Sequence, residues 1–499
     1  MRVPLSQYPG MNKFVLDWLG GDERFLSRSF ARRRESGRLK PSAALVDALA
    51  ESNQHWGLFA GGQLERWASG KTFTIIAGQQ TGFAGGPLYT LAKLASLIRF
   101  KRDMEKKGSP VTAFFWLATE DHDYDEVATL SVPVSNRQVD LMRIRAVRTA
   151  GVRAHARPVV GSLPVPEELV TQLLAAYDLP RPEWLRPGIT FGDSFAQLIA
   201  STFGSEIILV DALLPELRRA GAPLFERIRV NHDRIQRVLR DRAEELAAAG
   251  YKEQVVPREG DEYTLLYELD EDDNRQPSPA HHRPSPERTS TSALTRPLLQ
   301  DFVFQPDTFL GGPAEVAYYA QVNVLHTLLG IPEPRVALRG HVLLLPKRIE
   351  RAFERYGIDP SEVFRSPDEI VAAREPEGVA RIEELRDEGK RELIRRVEEI
   401  GQLALPADHS LAGSIRKSIG HLQFHFDKLA ERAVKGLVRK DRERYAALQE
   451  LVATLYPDHH VQDRVVSWFA YVCQYGDTVV EKVIEEVEPD SAFFKVVAL

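Results

Sequence analysis

The stretch that most constrains the fold is residues 73–93, FTIIAGQQTGFAGGPLYTLAK. An apolar run rich in β-branched residues stops at Gly78, and a turn with three more glycines and Pro87 follows. From Leu88 onward, apolar side chains recur at helical spacing. This order of strand, glycine-rich turn and helix lies at the carboxyl end of a strand in an open α/β sheet, where ligands bind. The first turn of such a helix offers N–H groups and a positive dipole end, which suit phosphate or carboxylate.

Three further apolar runs have the length and composition of buried strands. They lie at residues 113–119, 206–211 and 336–345, and amphipathic stretches such as 88–106 and 215–249 occur between them. Strands that alternate with helices in this way are typical of a doubly wound, parallel sheet. The sequence therefore predicts an α/β core.

A chain of 499 residues is longer than one hydrophobic core usually spans, so several domains are expected. Residues 132–192 break the alternation and are interpreted as an inserted connecting subdomain. Residues 268–292 contain almost no apolar side chain and are predicted to form a flexible loop. The predicted order is the first half of the core at 1–131, the insertion at 132–192, the second half of the core at 193–364, a helical arm at 365–455 and a C-terminal helical segment at 456–499 that packs on the core.

The arm has a different periodicity from the core. From Val379 to Leu403 apolar residues recur every three or four positions, a turn is predicted at 405–408, and a second stripe continues from Leu411 to Leu455. Two long helices joined by a short loop form an antiparallel coiled-coil hairpin. The stripe is interpreted as packing rather than chemistry.

Composition excludes several classes of protein. The net charge of −6 gives no drive toward nucleic acid or anionic membranes. The single cysteine, Cys473, allows no intrachain disulfide and no cysteine cluster for zinc. No run approaches the roughly 18–20 apolar residues of a membrane span, and the N-terminus lacks the apolar segment of a signal peptide. A cytoplasmic protein is expected.

The glycine-rich turn is neither of the two common phosphate-binding motifs. No Lys-Ser/Thr pair follows its last glycine, as a P-loop requires, and the Gly-x-Gly-x-x-Gly spacing of dinucleotide folds is missing. A tight structural turn is one interpretation. The other is a ligand site, because uncharged hydrogen-bonding side chains follow the strand. The candidate binding residues are Gly78, Gln79, Gln80, Thr81, Gly82, Gly85, Gly86, Pro87 and Tyr89.

A second polar cluster follows the predicted strand at 113–119. His122 lies among the carboxylates of Glu120, Asp121, Asp123 and Glu126. Nearby carboxylates raise the pKa of a histidine and orient its ring, which suits a general acid or base. Alternatively, the same oxygens could hold Mg²⁺ that accompanies a nucleotide, or the cluster could be a solvated strand end. The candidate catalytic residues are His122, Asp121 and Asp123, and Glu120 is a candidate for binding.

A third cluster repeats the pattern of the first. Gly311-Gly312-Pro313 echoes Gly85-Gly86-Pro87, and both precede an apolar helix with an early tyrosine. Two helix starts built alike could face one ligand from two sides, although a short motif can also recur by chance. Asp301, Gly311, Gly312, Glu315 and Tyr318 are the candidate binding residues of this wall. A carboxylate in the first helical turn, such as that of Glu315, could instead serve only as a cap.

Taken in order, these motifs resemble the BshC family of bacillithiol biosynthesis, the cysteine-adding enzymes. The resemblance is carried by Gly-Gln-Gln-Thr-Gly and Gly-Pro-Leu-Tyr-Thr at 78–90, Glu-Asp-His-Asp-Tyr-Asp-Glu at 120–126, Arg-Pro-Leu-Leu-Gln-Asp at 296–301 and Gly-Gly-Pro-Ala-Glu-Val-Ala-Tyr at 311–318. It continues through Leu455-Tyr-Pro, Gln462-Asp-Arg464 and Gln474-Tyr-Gly476, so it spans nearly the whole chain.

The resemblance implies a Rossmann-like core similar to that of class I aminoacyl-tRNA synthetases, and a C-terminal coiled coil that supports a homodimer. It implies ligation of L-cysteine to the glucosamine nitrogen of glucosaminyl malate, the last step of bacillithiol biosynthesis. ATP, with or without Mg²⁺, is the implied cosubstrate, because a free carboxylate must be activated before it forms an amide. A cysteinyl adenylate and an acyl phosphate both remain open as the activated species.

Two other functions remain open from the sequence. One is a nucleotidyltransferase or an ATP-dependent ligase that acts on another amine. The other is a non-catalytic protein in which the core binds a nucleotide and the coiled coil binds a partner.

Overall fold

The computed structural model forms two compact units, Met1–Leu345 with His460–Leu499, and Pro346–His459. The described residues are 1–29, 40–133, 141–146, 158–254, 263–374, 376–404, 406, 408, 410–438 and 442–499.

The strands, in chain order, are β1 (Arg2–Pro4), β2 (Phe73–Gln79), β3 (Val111–Leu117), β4 (Thr129–Pro133), β5 (Leu141–Arg145), β6 (Ile208–Asp211), β7 (Tyr263–Leu269), β8 (Arg275–Pro279), β9 (Thr289–Thr291), β10 (Thr308–Gly311), β11 (Arg335–Leu338), β12 (His341–Leu345) and β13 (Phe493–Ala498). The α-helices are α1 (Lys13–Leu19), α2 (Ala43–His55), α3 (Gly61–Ala68), α4 (Leu88–Lys106), α5 (Tyr124–Val127), α6 (Glu167–Tyr177), α7 (Phe191–Phe203), α8 (Pro215–Val230), α9 (His232–Ala248), α10 (Arg296–Phe304), α11 (Pro313–Leu329), α12 (Lys347–Tyr356), α13 (Pro367–Ala372), α14 (Pro376–Ala404), α15 (Leu411–Val438), α16 (Arg442–Leu455), α17 (Gln462–Val465), α18 (Trp468–Tyr475) and α19 (Thr478–Glu486).

The first unit is built on a five-stranded sheet in the order β11-β10-β2-β3-β6. Every pairing in it is parallel. β3 is buried along its whole length, as a strand covered on both faces must be. α4 packs against β2 and β3, and its buried residues are mainly apolar but include Thr90, Lys93, Ser96 and Lys101. The predicted parallel, Rossmann-like core is confirmed.

The C-terminal segment belongs to the same unit as the sheet. β13 pairs antiparallel with β1 and parallel with β12, and α19 packs on α4. The predicted strand at 336–345 is two strands in different sheets, because the chain turns at Arg339-Gly340. A Cβ atom on Gly340 would lie 2.4 Å from Cγ2 of Val487, so only glycine fits this close approach.

The polar stretch predicted as a flexible loop, 268–292, has a defined structure. It holds β8, β9 and the end of β7, which form a three-stranded antiparallel sheet. Thr289, Ser290 and Thr291 are buried. Hydroxyl groups pack here because a buried carboxylate, Glu120, accepts their hydrogen bonds, so the segment needs few apolar side chains.

The predicted insertion at 132–192 lies only partly within the described residues, since 134–140 and 147–157 fall outside them. β4 and β5 form an antiparallel pair, and α6 follows in the first unit.

The second unit, Pro346–His459, contains the helical arm predicted at 365–455. Cβ atoms placed on three glycines of α14 would meet α15 at Gly378–Leu437, Gly389–Phe426 and Gly401–Ile415. As one partner number rises, the other falls by nearly the same amount, so the helices run antiparallel. The predicted coiled coil is confirmed. The second stripe is divided between α15 and α16, and residues 405, 407 and 439–441 lie outside the described residues.

Among the described helices, none combines the length and apolar character needed to cross a membrane.

Candidate active site at the carboxyl edge of the sheet

A cavity of about 940 Å³ lies at the carboxyl ends of β2 and β3. Gly78 and Trp116 line it from the strand ends, and Pro87 and Pro313 line it from the first turns of α4 and α11. The two glycine-proline helix starts therefore do share one cavity. β7, β8 and β9 form another wall, to which Tyr267, Arg275 and Thr291 contribute.

Two glycines of the first turn are required by its geometry. Gly85 has φ of 82°, and a Cβ atom on it would lie 2.3 Å from Nε1 of Trp468. That indole nitrogen donates a hydrogen bond to the Gly85 carbonyl at 3.0 Å. Gly86 follows with φ of 73°, which side chains rarely tolerate. Leu88 N also donates to Val466 O at 2.8 Å. The C-terminal segment thus fixes the turn and the direction of α4.

A buried lysine links the two helix starts. Nζ of Lys93, in α4, donates to Gly78 O at 2.6 Å, to Oε1 of Gln79 at 2.9 Å and to Oε2 of Glu315 at 2.5 Å. Glu315 lies in the first turn of α11, and its Oε2 also accepts from Gly312 N at 2.7 Å. Burial lowers the pKa of Lys93, and the Glu315 carboxylate opposes that shift. The pair holds α4, β2 and α11 in fixed positions.

The arginines that line the cavity include Arg296, Arg339 and Arg464. Arg339 forms a buried ion pair with Asp463 at 2.9 Å. Arg296 donates to the Tyr318 hydroxyl and lies 3.9 Å from Oε1 of Glu315. Burial raises the pKa of both Tyr318 and Tyr89, so both hydroxyls stay neutral. Arginines and helix N-termini on one wall are suited to bind carboxylate or phosphate.

Carboxylates that follow β3 also line the cavity. Nε2 of Gln80 donates to Oδ2 of Asp121 at 2.5 Å and to Oε2 of Glu126 at 3.1 Å. The Gln80 amide therefore ties the end of β2 to the turn after β3. Two carboxylates held side by side attract an ammonium group or accept a proton from an amine.

The ring of His122 is held from the β8 side. Nη1 of Arg275 lies 3.2 Å from Nδ1 of His122, whereas Oδ1 of Asp121 lies 3.6 Å from the same nitrogen. A guanidinium can only donate, so Nδ1 must accept and carries no proton. The proton of a neutral ring is then on Nε2. Arg275, rather than Asp121 or Asp123, is the nearer partner that orients this histidine.

Glu120 and Asp123 have structural contacts. Glu120 is buried, and its oxygens accept from the hydroxyls of Ser290 and Thr291 and from Thr291 N. It thereby fastens β9 to the end of β3. Asp123 is exposed and caps α5 by accepting from Glu126 N at 3.1 Å.

Most of the residues predicted for the site line this one cavity. They are Gly78, Gln79, Gln80, Gly82, Gly86, Pro87, Tyr89, Glu120, Asp121, His122, Gly312, Glu315 and Tyr318. Five predicted residues are not part of the lining: Thr81, Gly85, Asp123, Asp301 and Gly311.

Asp301 is the clearest departure from the prediction. It is fully buried behind the wall and accepts from the Tyr319 hydroxyl at 3.1 Å, with Nε2 of His326 at 2.9 Å. Its carboxylate is occupied by these partners, so it supports α10 and α11 instead of meeting a ligand. Gly311 ends β10 with its Cα against Phe309 and Glu315, where a Cβ atom would clash.

The sequence-based site omitted the cations. Lys93, Arg143, Arg275, Arg296, Arg339 and Arg464 all line the cavity. Arg296 and Arg464 stood inside motifs of the family resemblance, which was a usable signal. Lys93 lies one helical turn and more beyond the glycines, and its partner Glu315 is 222 residues away.

No group of three or more His, Cys, Asp or Glu side chains suited to a metal ion occurs within the described part of the chain.

A parallel sheet with a cavity at its carboxyl edge, lined in part by charged side chains, defines a Rossmann-like α/β protein, the class whose ligands bind at this edge. Family comparison then places the chain. Residues 22–277 and 279–340 match the family model for the bacillithiol biosynthesis BshC N-terminal Rossmann-like domain, and residues 342–499 match that for the BshC C-terminal coiled-coil domain. The chain belongs to the BshC family.

Curated relatives agree over most of the chain. A protein of Koribacter versatilis (strain Ellin345) is 26% identical, with 97% of each chain covered. One of Bacillus cereus (strain AH187) is 27% identical over 83% of this chain and 82% of its own, and one of Exiguobacterium sibiricum is 29% identical over 65% and 66%. All three are named "Putative cysteine ligase BshC". The expectation of an enzyme of the ligase class is confirmed.

Proposed function

We propose that this chain joins L-cysteine to the amine of glucosaminyl malate at the expense of ATP, in the last step of bacillithiol biosynthesis. The observation that carries the proposal is the combination of charged groups in one cavity lining. Arginines and two helix N-termini line the cavity together with the carboxylates of Asp121 and Glu126, which Gln80 links. A substrate that carries both carboxylates and an amine would match these two sets of groups.

The contacts support one role for the arginines and helix N-termini and another for the carboxylates of Asp121 and Glu126. The malyl carboxylates or the phosphates of ATP would bind at Arg296, Arg339 and the helix starts, where fixed dipoles and charges favour anions. The amine would lie toward Asp121 and Glu126. When it attacks the activated carbonyl of cysteine, the carbon–nitrogen bond forms, AMP or phosphate leaves, and a carboxylate takes the proton that the nitrogen releases.

His122 fits a donor role better than that of a base. With Arg275 donating to Nδ1, the ring would offer Nε2–H to a phosphate or carboxylate oxygen. This arrangement favours the contact with an anion over proton abstraction, both of which the sequence left open.

The test is turnover by the purified chain with L-cysteine, glucosaminyl malate and ATP. The thiol product is followed by mass, and AMP and ADP are measured separately, which also distinguishes an adenylate from an acyl phosphate. We expect H122A to lower kcat by about a hundredfold or more, with an unchanged circular dichroism spectrum. H281A, which removes an exposed histidine, is the matched control.

Turnover of H122A at the wild-type rate would contradict the assignment of His122. Nucleotide release by the wild type with other amines, but not with glucosaminyl malate, would favour the ligase of another amine. Absence of any nucleotide turnover would favour the non-catalytic interpretation.

We propose that the chain also self-associates through its coiled coil. α14 and α15 expose large apolar side chains, among them Ile400 (64% exposed), Leu403 (85%) and Leu429 (65%). Exposed apolar side chains on a helix pair are suited to contact with a second copy of the chain. The double variant L403E/L429E should elute as a monomer in light-scattering chromatography, while the wild type elutes as a dimer; a monomeric wild type would contradict the proposal.

A further inference from the structure

Arg275 is a buried guanidinium without a carboxylate partner among the residues that the structure describes. It is 7% exposed, and it donates to Nδ1 of His122 and to the carbonyl of Thr291. Its charged carbon lies 4.3 Å from the centre of the Tyr267 ring, over the face. Within the described residues, no carboxylate lies within ion-pair distance of it. Its Nε–H is buried and also has no partner in the same part of the chain.

Two other deeply buried cations of the cavity lining each have a carboxylate partner. Lys93, which is 3% exposed, pairs with Glu315 at 2.5 Å. Arg339, also 3% exposed, pairs with Asp463 at 2.9 Å. Buried charges are ordinarily paired, because an isolated charge loses its hydration without compensation. Among these three cations of the described lining, Arg275 alone lacks a counter-charge from the protein.

The carboxylates nearest to Arg275 along the wall have other partners. Glu120 accepts from Ser290 and Thr291 and lies 3.6 Å from the Arg218 guanidinium. Asp121 accepts from Gln80 and from two backbone N–H groups of its own turn. Glu120 cannot turn toward Arg275 without leaving buried donors unsatisfied, and Asp121 would lose the three hydrogen bonds of its turn. The protein therefore does not supply the missing charge by a simple rotation.

We propose that Arg275 forms a binding site, called the seat below, for an anionic group of the ligand. The group is a carboxylate or a phosphoryl group, and the site lies on the wall formed by β7, β8 and β9. Two of its five N–H groups are used, and the Tyr267 face holds its plane fixed, which suits recognition of a planar or tetrahedral oxyanion. This seat adds to the one at the two helix starts. The ligand would then be held through anions at two walls. The identity of the anion rests on the proposed function, whereas the seat itself can be tested without turnover.

The experiment measures binding to the full chain by calorimetry and by thermal unfolding, with defined probes. L-cysteine is compared with cysteamine, which lacks the carboxylate, and L-malate and ATP represent the other two sources of an anion. R275M replaces the charge by an apolar chain of similar length. R283Q, which removes an exposed arginine between β8 and β9, is the control.

We expect R275M to unfold at or above the wild-type temperature, because an uncompensated buried charge has been removed. It should bind at least one of L-cysteine, L-malate and ATP at least tenfold more weakly, with cysteamine unchanged, while R283Q binds as the wild type does. The probe that is weakened identifies the source of the anion.

Three results would overturn the seat. They are wild-type affinity of R275M for all three anions, equal loss of all probes including cysteamine, and failure of the wild type to bind any anion. If R275M does not fold, R275K is measured instead, because it keeps the positive charge in place. Stabilisation of R275K by an anion would support the seat. Absence of that stabilisation in folded R275K would overturn it. Arg275-dependent anion binding without thiol product would refute the proposed reaction and leave the seat standing. Thiol product from the wild type, together with wild-type anion binding by R275M, would support the proposed reaction and overturn the seat.

Discussion

Replacing Lys93 by methionine would break a buried ion pair that joins three elements of the cavity. Nζ of Lys93 donates to the end of β2 through Gly78 and Gln79, and to Glu315 at the start of α11. The side chains are 4% and 19% exposed. We expect K93M to lower the free energy of unfolding and to loosen the two helix starts relative to each other.

The magnitude follows from what each partner loses. Removal of one member of a buried pair costs about 3–5 kcal/mol. In K93M, Glu315 keeps the Gly312 N–H at 2.7 Å and Arg296 at 3.9 Å, so we expect about 3 kcal/mol, the lower end of that range. In E315Q the ammonium keeps neutral acceptors only, and a similar loss of about 3 kcal/mol is expected. The double variant K93M/E315Q should lose less than the sum by about 2–3 kcal/mol, since the two groups are in contact.

The dependence on pH has a defined sign. Burial lowers the pKa of Lys93 from its ordinary value of 10.5, and Glu315 opposes the shift. Without Glu315 the folded pKa falls further, so the unfolded chain binds more protons between that pKa and 10.5. Stability rises with pH wherever the unfolded state binds more protons. E315Q should therefore recover part of its stability, relative to the wild type, as the pH rises toward 10.

The assay is urea unfolding followed by tryptophan fluorescence. All six tryptophans lie in the first unit, so the signal reports on the unit that contains the cavity. D103N, which breaks the exposed Arg99–Asp103 pair of the same helix, is the control and should cost less than about 1 kcal/mol. Losses below about 1 kcal/mol for both single variants, or an additive double variant, would refute the description of this pair as a buried clamp.

Three further predictions concern other parts of the first unit. G85A places a Cβ atom 2.3 Å from Nε1 of Trp468 at a φ of 82° and should cost about 3 kcal/mol, against about 1 kcal/mol for G108A, which has a similar φ and open space; equal losses in urea unfolding would contradict the clash. D301A removes a fully buried acceptor of Tyr319 and His326. It should lower the free energy of unfolding by about 3 kcal/mol without weakening anion binding. A loss of anion binding without a loss of stability would instead indicate that Asp301 contacts the ligand. Burial raises the pKa of the Cys473 thiol from 9.0 to about 12, so its contribution to stability is complete below pH 9 and is lost as the pH rises toward 12. The same thiol should react with a disulfide reagent at pH 8 on the order of a hundredfold more slowly than in urea, and rapid native labelling would argue against its burial.

Local signals in the sequence predicted the parts of the fold that local physics determines. The run 73–93 became β2, the glycine turn and α4, because β-branched residues, glycines and helical spacing each act within a few residues. The stripes of the arm became α14 and α15, since a sustained apolar repeat has few alternatives to a helix pair. The polar stretch 268–292 misled the same reasoning. Its hydroxyls are buried against Glu120, which lies 170 residues away from Ser290 in the sequence.

The site was predictable where function lies at strand ends and not where it depends on long-range charge pairing. His122, Asp121 and the helix starts follow strands, so topology alone brought them to one edge. Arg296 and Arg464 stand in motifs of the family resemblance, whereas Lys93, Arg275 and Arg339 of the same lining are recognisable only by their partners. Arg339 pairs with Asp463, which is 124 residues away in the sequence, and Arg275 contacts His122, which is 153 residues away. Periodicity carries no information about such pairs.

The two glycine-proline helix starts have more in common than their sequences. Each is fixed by a contact from a distant part of the first unit: the Trp468 indole holds the turn before α4, and Lys93 of α4 reaches Glu315 in the first turn of α11. Dipoles held in this way need no rearrangement when an anion arrives, which is the condition under which they stabilise developing charge most strongly. A lone glycine-rich turn would allow its helix to move with its ligand. Two turns joined by one buried lysine keep the spacing between the two helix N-termini constant, so under the proposed function they would favour a ligand whose negative groups match that spacing.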